Sequence, residues 1–411
     1  MTGKDKPDKR LPPRLFATDQ FPTGRLNIYS KPDILPLIQH VLKGTKELQY
    51  IKDSCFGKLF ELPARQCPVS CKLIHAFLTR QLITEDSHTL WTVFGSDAIS
   101  FGLPEFGTIT GLPCGEFPEG YVTDYEDQSK ANKDPDWLKL IGKKKFTTIA
   151  ELRHRFETDT GMPGWKKLQL ALILIVDGVL IAHQQKTRPT LKYVKMVRDV
   201  DAFCKHPWGR ESFLKTISCM KPPSGFADPV KELVRLLRQE TFRLKGFPLA
   251  LQLLAFQAVP QLQTIIPAPV DTLSISQLKE PHLPLHANIN YVDVLRVEAE
   301  ENLAVTSLIP IQSQAQPGWG VWSAIVDDVR VTYMEDLIAK HHPFKKHLWP
   351  GGKKLPKLVY QPPEEEPESK RNHIKPRRTL KKPQSSRKQR RISNYFKRTV
   401  PASSTNEQTQ L

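Results

Sequence analysis

The sequence has 411 residues, 39% of them hydrophobic, which is enough for two or three domains or for one large domain with tails. Its net charge of +17 is unevenly spread. Residues 369–398 hold 13 lysines and arginines and no acidic residue, whereas residues 1–368 carry 47 basic and 42 acidic side chains. A basic segment of this kind typically binds nucleic acid, an import receptor or an acidic protein surface.

The pattern of apolar residues and cysteines argues against a secreted protein and against a membrane protein. The chain begins MTGKDKPDKRLPPR, which is polar and proline-rich and has no apolar leader region. Its six cysteines then fit a reduced, intracellular protein. The most apolar run, Leu168–His183, has 16 residues and contains Asp177. It is too short and too polar to cross a membrane, so we predict a buried core helix there.

The first third of the chain changes from a polar leader to helical patterns. Residues 1–30 are expected to form a flexible leader. Residues 33–42 predict a helix that bends near Pro36 and ends at Gly44. A second helix is predicted where apolar residues repeat on one face between Cys71 and Leu82.

Strand signals follow, and then mostly helical ones. The segment LWTVFGSDAISFG predicts a hairpin, because two β-prone runs flank Gly95-Ser96-Asp97, and PEFGTITGLPCG predicts a short helix or turn. A second β-prone zone lies near residues 303–326, and PPEEEPES at 362–369 marks the expected end of ordered structure. Further helical patterns cover residues 146–157, 165–184, 191–204, 208–219, 228–243 and 248–259.

Together these signals predict an α+β fold that is predominantly helical, with a small β-hairpin or sheet element and a disordered basic C-terminal tail. The expected organisation has four parts. A flexible leader at 1–30 precedes a helix-rich domain at 31–265. A C-terminal extension with short strands and a helix occupies 266–360, and an acidic hinge and the basic tail occupy 361–411.

Four segments resemble a plant-specific domain of unknown function that is abundant in proteins of Mutator-like, VANDAL-type transposons. The resemblance covers roughly residues 40–265, and Ile99–Gly115 is its most specific part. Some relatives continue into a SUMO-protease domain, and others, the VANC-type proteins, look like nuclear DNA-binding anti-silencing factors. The resemblance implies a plant nuclear protein of transposon ancestry and supplies no active-site residue. The segments are DSCFGKLFELP, LWTVFGSDAISFGLPEFGTITGLPCGEFP, RDVDAFCKHPWGRESFLKTI and KGFPLALQLLAFQAVPQL.

Six aromatic residues of these segments have two possible roles, in the core or as a platform for stacked bases. Large aromatic side chains at turns and apolar positions are more often buried, so we predict the core. The glycines nearby form neither G-x-G-x-x-G nor G-x-x-x-x-G-K-[ST], so no nucleotide-phosphate loop is indicated. The aromatic residues are Trp91, Phe94, Phe101, Phe106, Trp208 and Phe247.

The sequence does not predict an enzyme. A SUMO protease needs a cysteine activated by a histidine, itself oriented by an aspartate, and a glutamine shortly before the cysteine. The one Cys-Gly step, at Cys114, belongs to the family motif LPCGEF and lacks that approach, so a cryptic cysteine protease is the least favoured hypothesis. Where relatives carry the protease domain, this chain has the acidic hinge and the basic tail. No G-x-S-x-G motif occurs either.

Two segments carry residues that could bind a metal. Cys67, Cys71 and His75 are spaced to share one helix face, but zinc usually needs a second pair of ligands further along the chain. Small buried thiols and a hydrogen-bonded histidine are therefore favoured. The segment His341–Trp349 could likewise hold a metal, although a solvated loop is the simpler interpretation. We predict no metal site, no cofactor and no small-molecule substrate.

The basic tail has the form of a bipartite nuclear import signal. In KPRRTLKKPQSSRKQRR, at residues 375–391, two basic clusters flank a short polar spacer, and such segments bind the acidic groove of an import receptor in an extended conformation. The same side chains could contact DNA phosphates, which position a protein without reading sequence. The residues are Lys375, Arg377, Arg378, Lys381, Lys382, Arg387, Lys388, Arg390 and Arg391.

Within this tail, QRRISNYF matches the motif by which proteins bind the sliding clamp PCNA. Gln389, Ile392, Tyr395 and Phe396 occupy its four defined positions. One helical turn brings the three apolar side chains, at i, i+3 and i+4, onto one face, where they form a hydrophobic plug. The alternatives are a chance match and docking of these side chains on the protein's own core.

These observations predict a non-enzymatic nuclear protein of transposon origin. The leading hypothesis is a DNA- or chromatin-associated accessory factor of the anti-silencing type whose tail binds PCNA. The alternative is a pure protein-interaction module, or a decayed transposon accessory protein, without DNA binding. The expected partners are PCNA, a nuclear import receptor and DNA, and we expect no membrane partner.

Overall fold

A computed structural model describes residues 6–123, 131–144, 146–266, 272–285, 288–311, 313–316, 319–322, 326–358 and 360. Helices dominate this part of the chain, and short 3₁₀ turns connect several of them. The helices are α1 (Ile34–Val41), α2 (Lys46–Asp53), α3 (Gly57–Phe60), α4 (Cys71–Thr79), α5 (Leu103–Thr110), α6 (Pro135–Leu140), α7 (Ile149–Thr158), α8 (Gly164–Ile173), α9 (Leu191–Met196), α10 (Val200–Lys205), α11 (Trp208–Ile217), α12 (Pro229–Leu237), α13 (Leu249–Ala258), α14 (Tyr291–Glu298) and α15 (Val329–Ala339).

The strands are few and short. They are β1 (Arg14–Phe16), β2 (Leu26–Ile28), β3 (Leu90–Phe94), β4 (Asp97–Phe101), β5 (Phe242–Leu244) and β6 (Gly351–Lys353). Strands β3 and β4 form the predicted hairpin, in which Leu90 pairs with Phe101 and Phe94 with Asp97. Gly95 begins its turn with φ at +60°, a conformation that glycine adopts without strain. The prediction of a mainly helical α+β fold with a small hairpin is confirmed.

The predicted flexible leader contributes to the fold. Strand β1 pairs in parallel with β6, and β2 pairs in parallel with β5. Leu11, Leu15 and Phe16 are fully buried. The first 30 residues resembled a flexible leader because they are polar and proline-rich. The strands that pair with β1 and β2 lie more than two hundred residues further along the chain, so no local sequence pattern reveals the pairing. The described residues from 6 onward belong to one compact unit, residues 1–361, which also crosses the predicted boundary at 265 and 266.

The predicted second β-prone zone takes a different form. Within the described residues of 303–326 no strand occurs, and the strand of the C-terminal extension is β6. Leu303, Val305 and Leu308 instead pack as an irregular segment against the core. The β-prone composition of this segment reflects the burial of its apolar side chains, which does not require pairing with another strand.

The hydrophobic core explains the placement of the aromatic residues. One large cluster runs through the helices, and a smaller one joins α15 and the segment up to Trp349 to the outer face of the hairpin. The prediction of core aromatics is confirmed, since all six are buried: Trp91, Phe94, Phe101, Phe106, Trp208 and Phe247.

The apolar run Leu168–His183 forms the centre of the fold. Helix α8 continues into a π-helical stretch, Leu174–Leu180, in which every residue is buried. A π-helical turn redirects backbone carbonyls, and here they find partners outside the helix. The backbone amide of Lys31 donates to Gly178 O (2.9 Å), and the hydroxyls of Ser30 and Ser212 donate to the carbonyls of residues 179 and 180. The predicted buried helix is confirmed, and in the described residues no helix has the length and apolar character of a membrane span.

Candidate nucleic-acid interface

Every site residue that the sequence predicted in the tail lies outside the described residues. This holds for the import and DNA-contact residues of 375–391 and for the clamp-binding set Gln389, Ile392, Tyr395 and Phe396. Their roles stay predictions. The folded unit nevertheless carries a surface that combines exposed aromatic rings with cations, and we call it the Trp165 surface.

The Trp165 surface begins where α6 meets the start of α8. The Trp165 side chain is 44% exposed, although indole is among the side chains that most favour burial. The Lys139 ammonium lies 4.9 Å from the centre of the indole ring. This cation–π contact keeps a positive charge at the level of the ring. A ring so exposed can accept a further planar partner.

The neighbouring helix ends fix the backbone of this surface. Arg155, on α7, donates through its two terminal nitrogens to Ile141 O (2.7 Å) and Leu140 O (3.1 Å), at the C-terminal end of α6. A cation at this end of a helix complements the exposed carbonyls. Burial lowers the pKa of the Lys166 ammonium, and the nearby Arg155 charge lowers it further. The Arg155 charge thus lies near both the end of α6 and Lys166, while Lys139 is the cation on the Trp165 ring.

A second aromatic ring lies at the end of the same chain segment. Phe146 is 54% exposed, and the Arg188 guanidinium lies 4.7 Å from the centre of its ring. Residues 139–146, KLIGKKKF, contain four lysines and no acidic residue. Lys143 and Lys144 are exposed, while residue 145 lies outside the described residues. The segment thus connects the two ring–cation pairs.

Three carboxylates moderate the positive charge, and one of them, Glu47, lies against Gly164, the residue before Trp165. Glu151 accepts a short hydrogen bond from Lys144 and also caps α7, where its carboxylate binds the Thr148 amide (3.0 Å). Asp159 acts electrostatically on both Lys166 and Arg155. Exposed ion pairs of this kind are weak and exchange readily. Positive charge therefore remains in excess around the rings, which is the arrangement that single-stranded nucleic acid binds.

Glu211 is a buried carboxylate at the centre of a hydrogen-bond network. Glu211 accepts hydrogen bonds from the hydroxyls of Tyr121 and Tyr193 (2.6 Å each) and from His206 Nε2 (2.7 Å). Burial opposes its ionisation, but these hydrogen bonds outweigh burial and lower the pKa of Glu211. Hydrogen bonds thus join the Glu211 carboxylate to the two tyrosine hydroxyls and the histidine. The His206 ring also packs on Trp208 at 4.4 Å between centroids. The network fixes the loop after Cys114 on α11.

Cys114 has the surroundings of a structural thiol. It is fully buried, its Sγ lies 3.4 Å from Leu112 O, and burial raises the pKa of the thiol to about 12. A nucleophilic cysteine needs the opposite shift. A side chain at Gly209 would place its Cβ 2.6 Å from this sulfur, so the thiol fills the space where α11 begins.

The two possible metal segments have structural partners. His75 Nε2 donates to Leu237 O (2.9 Å), and the Tyr291 hydroxyl lies 2.9 Å from His75 Nδ1. Cys67 is buried and precedes α4. In the segment after α15, Phe344 and Trp349 are buried against the hairpin. Across the described ranges, no group of three His, Cys, Asp or Glu side chains is arranged for a metal ion.

Sequence reasoning missed the Trp165 surface. The lysine run before Phe146 and the sequence GWKK at 164–167 were visible signals. What could not be read was exposure, because a tryptophan in a folded domain is expected to be buried. Only the packing of α6 against α8 shows that this ring remains at the surface.

The hairpin, the Trp165 surface and the Glu211 network lie in one helix-rich unit, and a family comparison covers all three. Residues 78–219 match the model of a family described as a domain of unknown function (DUF1985). The match includes the motif Ile99–Gly115 that carried the resemblance and covers roughly a third of the chain. No curated protein and no solved structure matched the sequence.

Proposed function

We propose that this protein is a non-enzymatic nuclear factor of transposon origin that associates with DNA or chromatin. The observation that carries the proposal is the Trp165 surface, where an exposed indole lies beside Lys139. The basic tail and the resemblance to VANC-type anti-silencing proteins support the same assignment. The matched family model is compatible with it, because the surface lies inside the matched residues.

The chemistry of the Trp165 surface suits single-stranded or unpaired nucleic acid. A base stacked on an aromatic side chain contributes about 1–3 kcal/mol, and the flanking lysines can contact the adjoining phosphates. Each phosphate contact releases counterions, so binding should weaken steeply with salt. A flat, fully paired duplex offers no free base face to Trp165. We therefore expect a preference for single strands, bubbles or frayed ends.

The tail would supply the remaining interactions. Its two basic clusters suit an import receptor and add non-specific attraction to DNA. The motif formed by Gln389, Ile392, Tyr395 and Phe396 suits PCNA, and burial of its three apolar side chains would contribute roughly 1.5–3 kcal/mol each. Ordering the segment costs about 2–5 kcal/mol. A micromolar complex is the natural expectation, and it would place the protein at replicating or repaired DNA.

Fluorescence anisotropy with labelled oligonucleotides tests the DNA-binding part of the proposal. The full chain is titrated with single-stranded and duplex DNA at several salt concentrations. The comparison uses a tail-neutralised full chain, in which the nine basic residues of 375–391 are changed to glutamine. We expect this variant to retain single-strand binding and to lose it in part when Trp165→Ala is added. Phe226→Ala, another exposed aromatic, serves as the matched control.

The contrary outcome of that titration is equally clear. If the tail-neutralised protein binds no nucleic acid, or if Trp165→Ala and Phe226→Ala behave alike, the folded unit does not bind DNA through the Trp165 surface. DNA association would then depend on the tail alone.

A peptide measurement tests the clamp-binding part separately. A peptide of residues 385–401 is titrated with purified plant PCNA by calorimetry, and a Tyr395→Ala/Phe396→Ala peptide is the control. Micromolar binding that the control lacks would support the tether. Absence of binding at hundreds of micromolar would leave the octapeptide as part of the import signal.

A second candidate function is a protein-interaction module without DNA affinity. A specific observation favours it, namely an open apolar groove beside α12 with cations on its rim. The two functions use different surfaces and do not exclude each other.

A further inference from the structure

An open groove of about 800 Å³ lies beside α12, and we call it the α12 groove. Helix α12 forms one wall, and strands β1 and β6 form the other. Its floor is apolar, from Pro13, Leu15, Ile83, Val230 and Val234. An open groove with an apolar floor is suited to a chain segment rather than to a small polar molecule.

Helix α12 has one apolar face, and its edge borders the groove. Leu233 and Leu237 on this face are buried in the core, whereas Val230 and Val234, one turn apart on the same face, are half-buried against the core and line the groove. The half-buried pair has the i, i+4 spacing of a helix contact. Phe226, just before the helix, is 52% exposed and also lines the groove. This face has more apolar surface than a solvent-facing helix needs.

The rim of the α12 groove is positively charged. Asp228 is occupied as the N-cap of α12, where it accepts the Lys231 amide (2.9 Å), and Glu232 is paired with Arg235. In the part of the chain that the structure describes, Lys231, Arg238 and Lys353 lie on the groove and form no ion pair. The two acidic residues of the lining are thus already engaged, and three cations face solvent.

We infer that the α12 groove binds an acidic, amphipathic segment of another protein, with apolar side chains at helical spacing and flanking Asp or Glu residues. The apolar floor would take the side chains at i, i+3 and i+4, and the rim cations would pair with the carboxylates. Helix α12 has nine residues and is about 13 Å long, so two to three turns of a partner helix can lie along it. This inference goes beyond the proposed DNA association and does not depend on it.

The charge pattern favours a peptide over the other possible occupants. Nucleic acid would use the cations but leave the apolar floor and Phe226 in contact with its polar backbone. A second copy of this chain would bring the same positive rim against itself, because symmetric dimers pair identical surfaces. An acidic amphipathic segment would bury its apolar side chains on the floor and pair its carboxylates with the cations of the rim.

Selection from a display library of random 16-residue peptides on the immobilised full chain tests the inference. Recovered peptides should combine Asp or Glu with Leu, Ile or Phe at helical spacing. Against the best peptide, Phe226→Ala and Lys231→Glu/Arg238→Glu should each raise Kd at least tenfold. Both sets of side chains are exposed, so the fold should be retained. Trp165→Ala should leave this Kd unchanged.

Charge exchange makes the test sharper. A peptide with its acidic residues changed to lysine should fail on the parent protein and recover binding on Lys231→Glu/Arg238→Glu. Peptides that are not acidic, or whose binding ignores these variants, would overturn the inference. So would DNA binding lost in Phe226→Ala but not in Trp165→Ala, or a dimer in light scattering that Phe226→Ala dissociates. If peptide binding at the α12 groove fails while Trp165-dependent DNA binding is retained, only the inference about the groove is wrong. If DNA binding fails while peptide binding is retained, only the proposed function is wrong.

Discussion

Two buried carboxylates in this protein are stabilised in opposite ways. Glu298, on α14, accepts hydrogen bonds from the guanidinium of Arg80, the residue that caps the C-terminus of α4 (Nε 3.0 Å, Nη2 2.5 Å), and from the Gly95 amide (3.2 Å). Asp177, on the π-helical stretch, accepts from the Thr190 amide (2.9 Å) and hydroxyl (2.7 Å), and no cation of the described residues pairs with it. Both side chains are shielded from solvent.

The pKa values of the two groups move apart. Burial opposes ionisation of Glu298, but the charge and hydrogen bonds of Arg80 outweigh it, and the pKa of Glu298 is lowered. Burial raises the pKa of Asp177 to about 7, and the Thr190 hydrogen bonds compensate only in part. Burial of a charged carboxylate costs free energy in both regions. At Glu298 a neighbouring cation offsets this cost, whereas at Asp177 the carboxyl group binds a proton and becomes neutral. The first region is an ionic crosslink, and the second responds to pH near neutrality.

Removal of the charge at Glu298 should have the largest effect. Glu298→Gln leaves the buried Arg80 without its anion, and Arg14, also buried and sensing the Glu298 charge, loses part of its compensation. We expect the free energy of unfolding to fall by roughly 3–5 kcal/mol. Urea denaturation monitored by tryptophan fluorescence measures it.

The exposed Glu300 gives the matched control, since Glu300→Gln should change the unfolding free energy by less than about 0.5 kcal/mol. The Glu298 contribution is fully present above its unfolded pKa, near 4.3, and is lost as pH falls through the lowered folded value. A cost below about 1 kcal/mol for Glu298→Gln at pH 7 would show that the crosslink is not what holds α4 to α14.

Asp177 should give the opposite response to pH. Its folded pKa of about 7 lies above the unfolded value, so between about pH 4 and pH 7 the folded state holds a proton that the unfolded state has released. Stability therefore falls as pH rises through this window, by up to ~4 kcal/mol at about 1.36 kcal/mol for each pKa unit. Asp177→Asn should remove this slope, because Asn can accept from the Thr190 amide and donate to its hydroxyl.

Urea titrations at half-unit steps from pH 4.5 to pH 8 measure the slope. The exposed Asp327, changed to Asn, is the control and should leave the wild-type slope unchanged. If Asp177→Asn and wild type lose stability in parallel across the window, Asp177 is ionised in the folded protein at pH 5 and the contrast with Glu298 is wrong.

The contrast also shows which parts of this molecule local sequence could predict. The hairpin, α1, α4 and the buried run around Asp177 all follow from short patterns of apolar residues and glycine, and the structure has them. The pairings of β1 with β6 and of β2 with β5, and the Arg80–Glu298 contact, join residues that lie two hundred or more positions apart. No periodicity encodes such a partner, because only the packed chain brings the two residues together.

The candidate site divides in the same way. The lysine-rich sequence before Phe146 is a local signal, as are the basic tail and its clamp-binding motif. Exposure of Trp165 and of the half-buried edge of the apolar face of α12 are properties of packing, which the sequence pattern alone does not show. The positive charge of these regions could thus be predicted from the sequence, whereas the exposed apolar surface beside it could not.

Glu211 lies between the two extremes and should give the smallest effect. The lowered pKa of Glu211 depends on hydrogen bonds from one histidine and two tyrosines instead of on an arginine, so no single partner is decisive. Tyr193→Phe removes a hydrogen bond in a fully buried site and should cost about 1.5–3 kcal/mol, whereas Tyr121→Phe, at a half-exposed site where water can replace the hydroxyl, should cost closer to ~1 kcal/mol. Urea denaturation at pH 7 compares them. Equal costs would mean that the loop carrying Tyr121 is as closed to water as α9. A smaller cost for Tyr193→Phe than for Tyr121→Phe would mean that His206 and Tyr121 together suffice to hold the carboxylate charged.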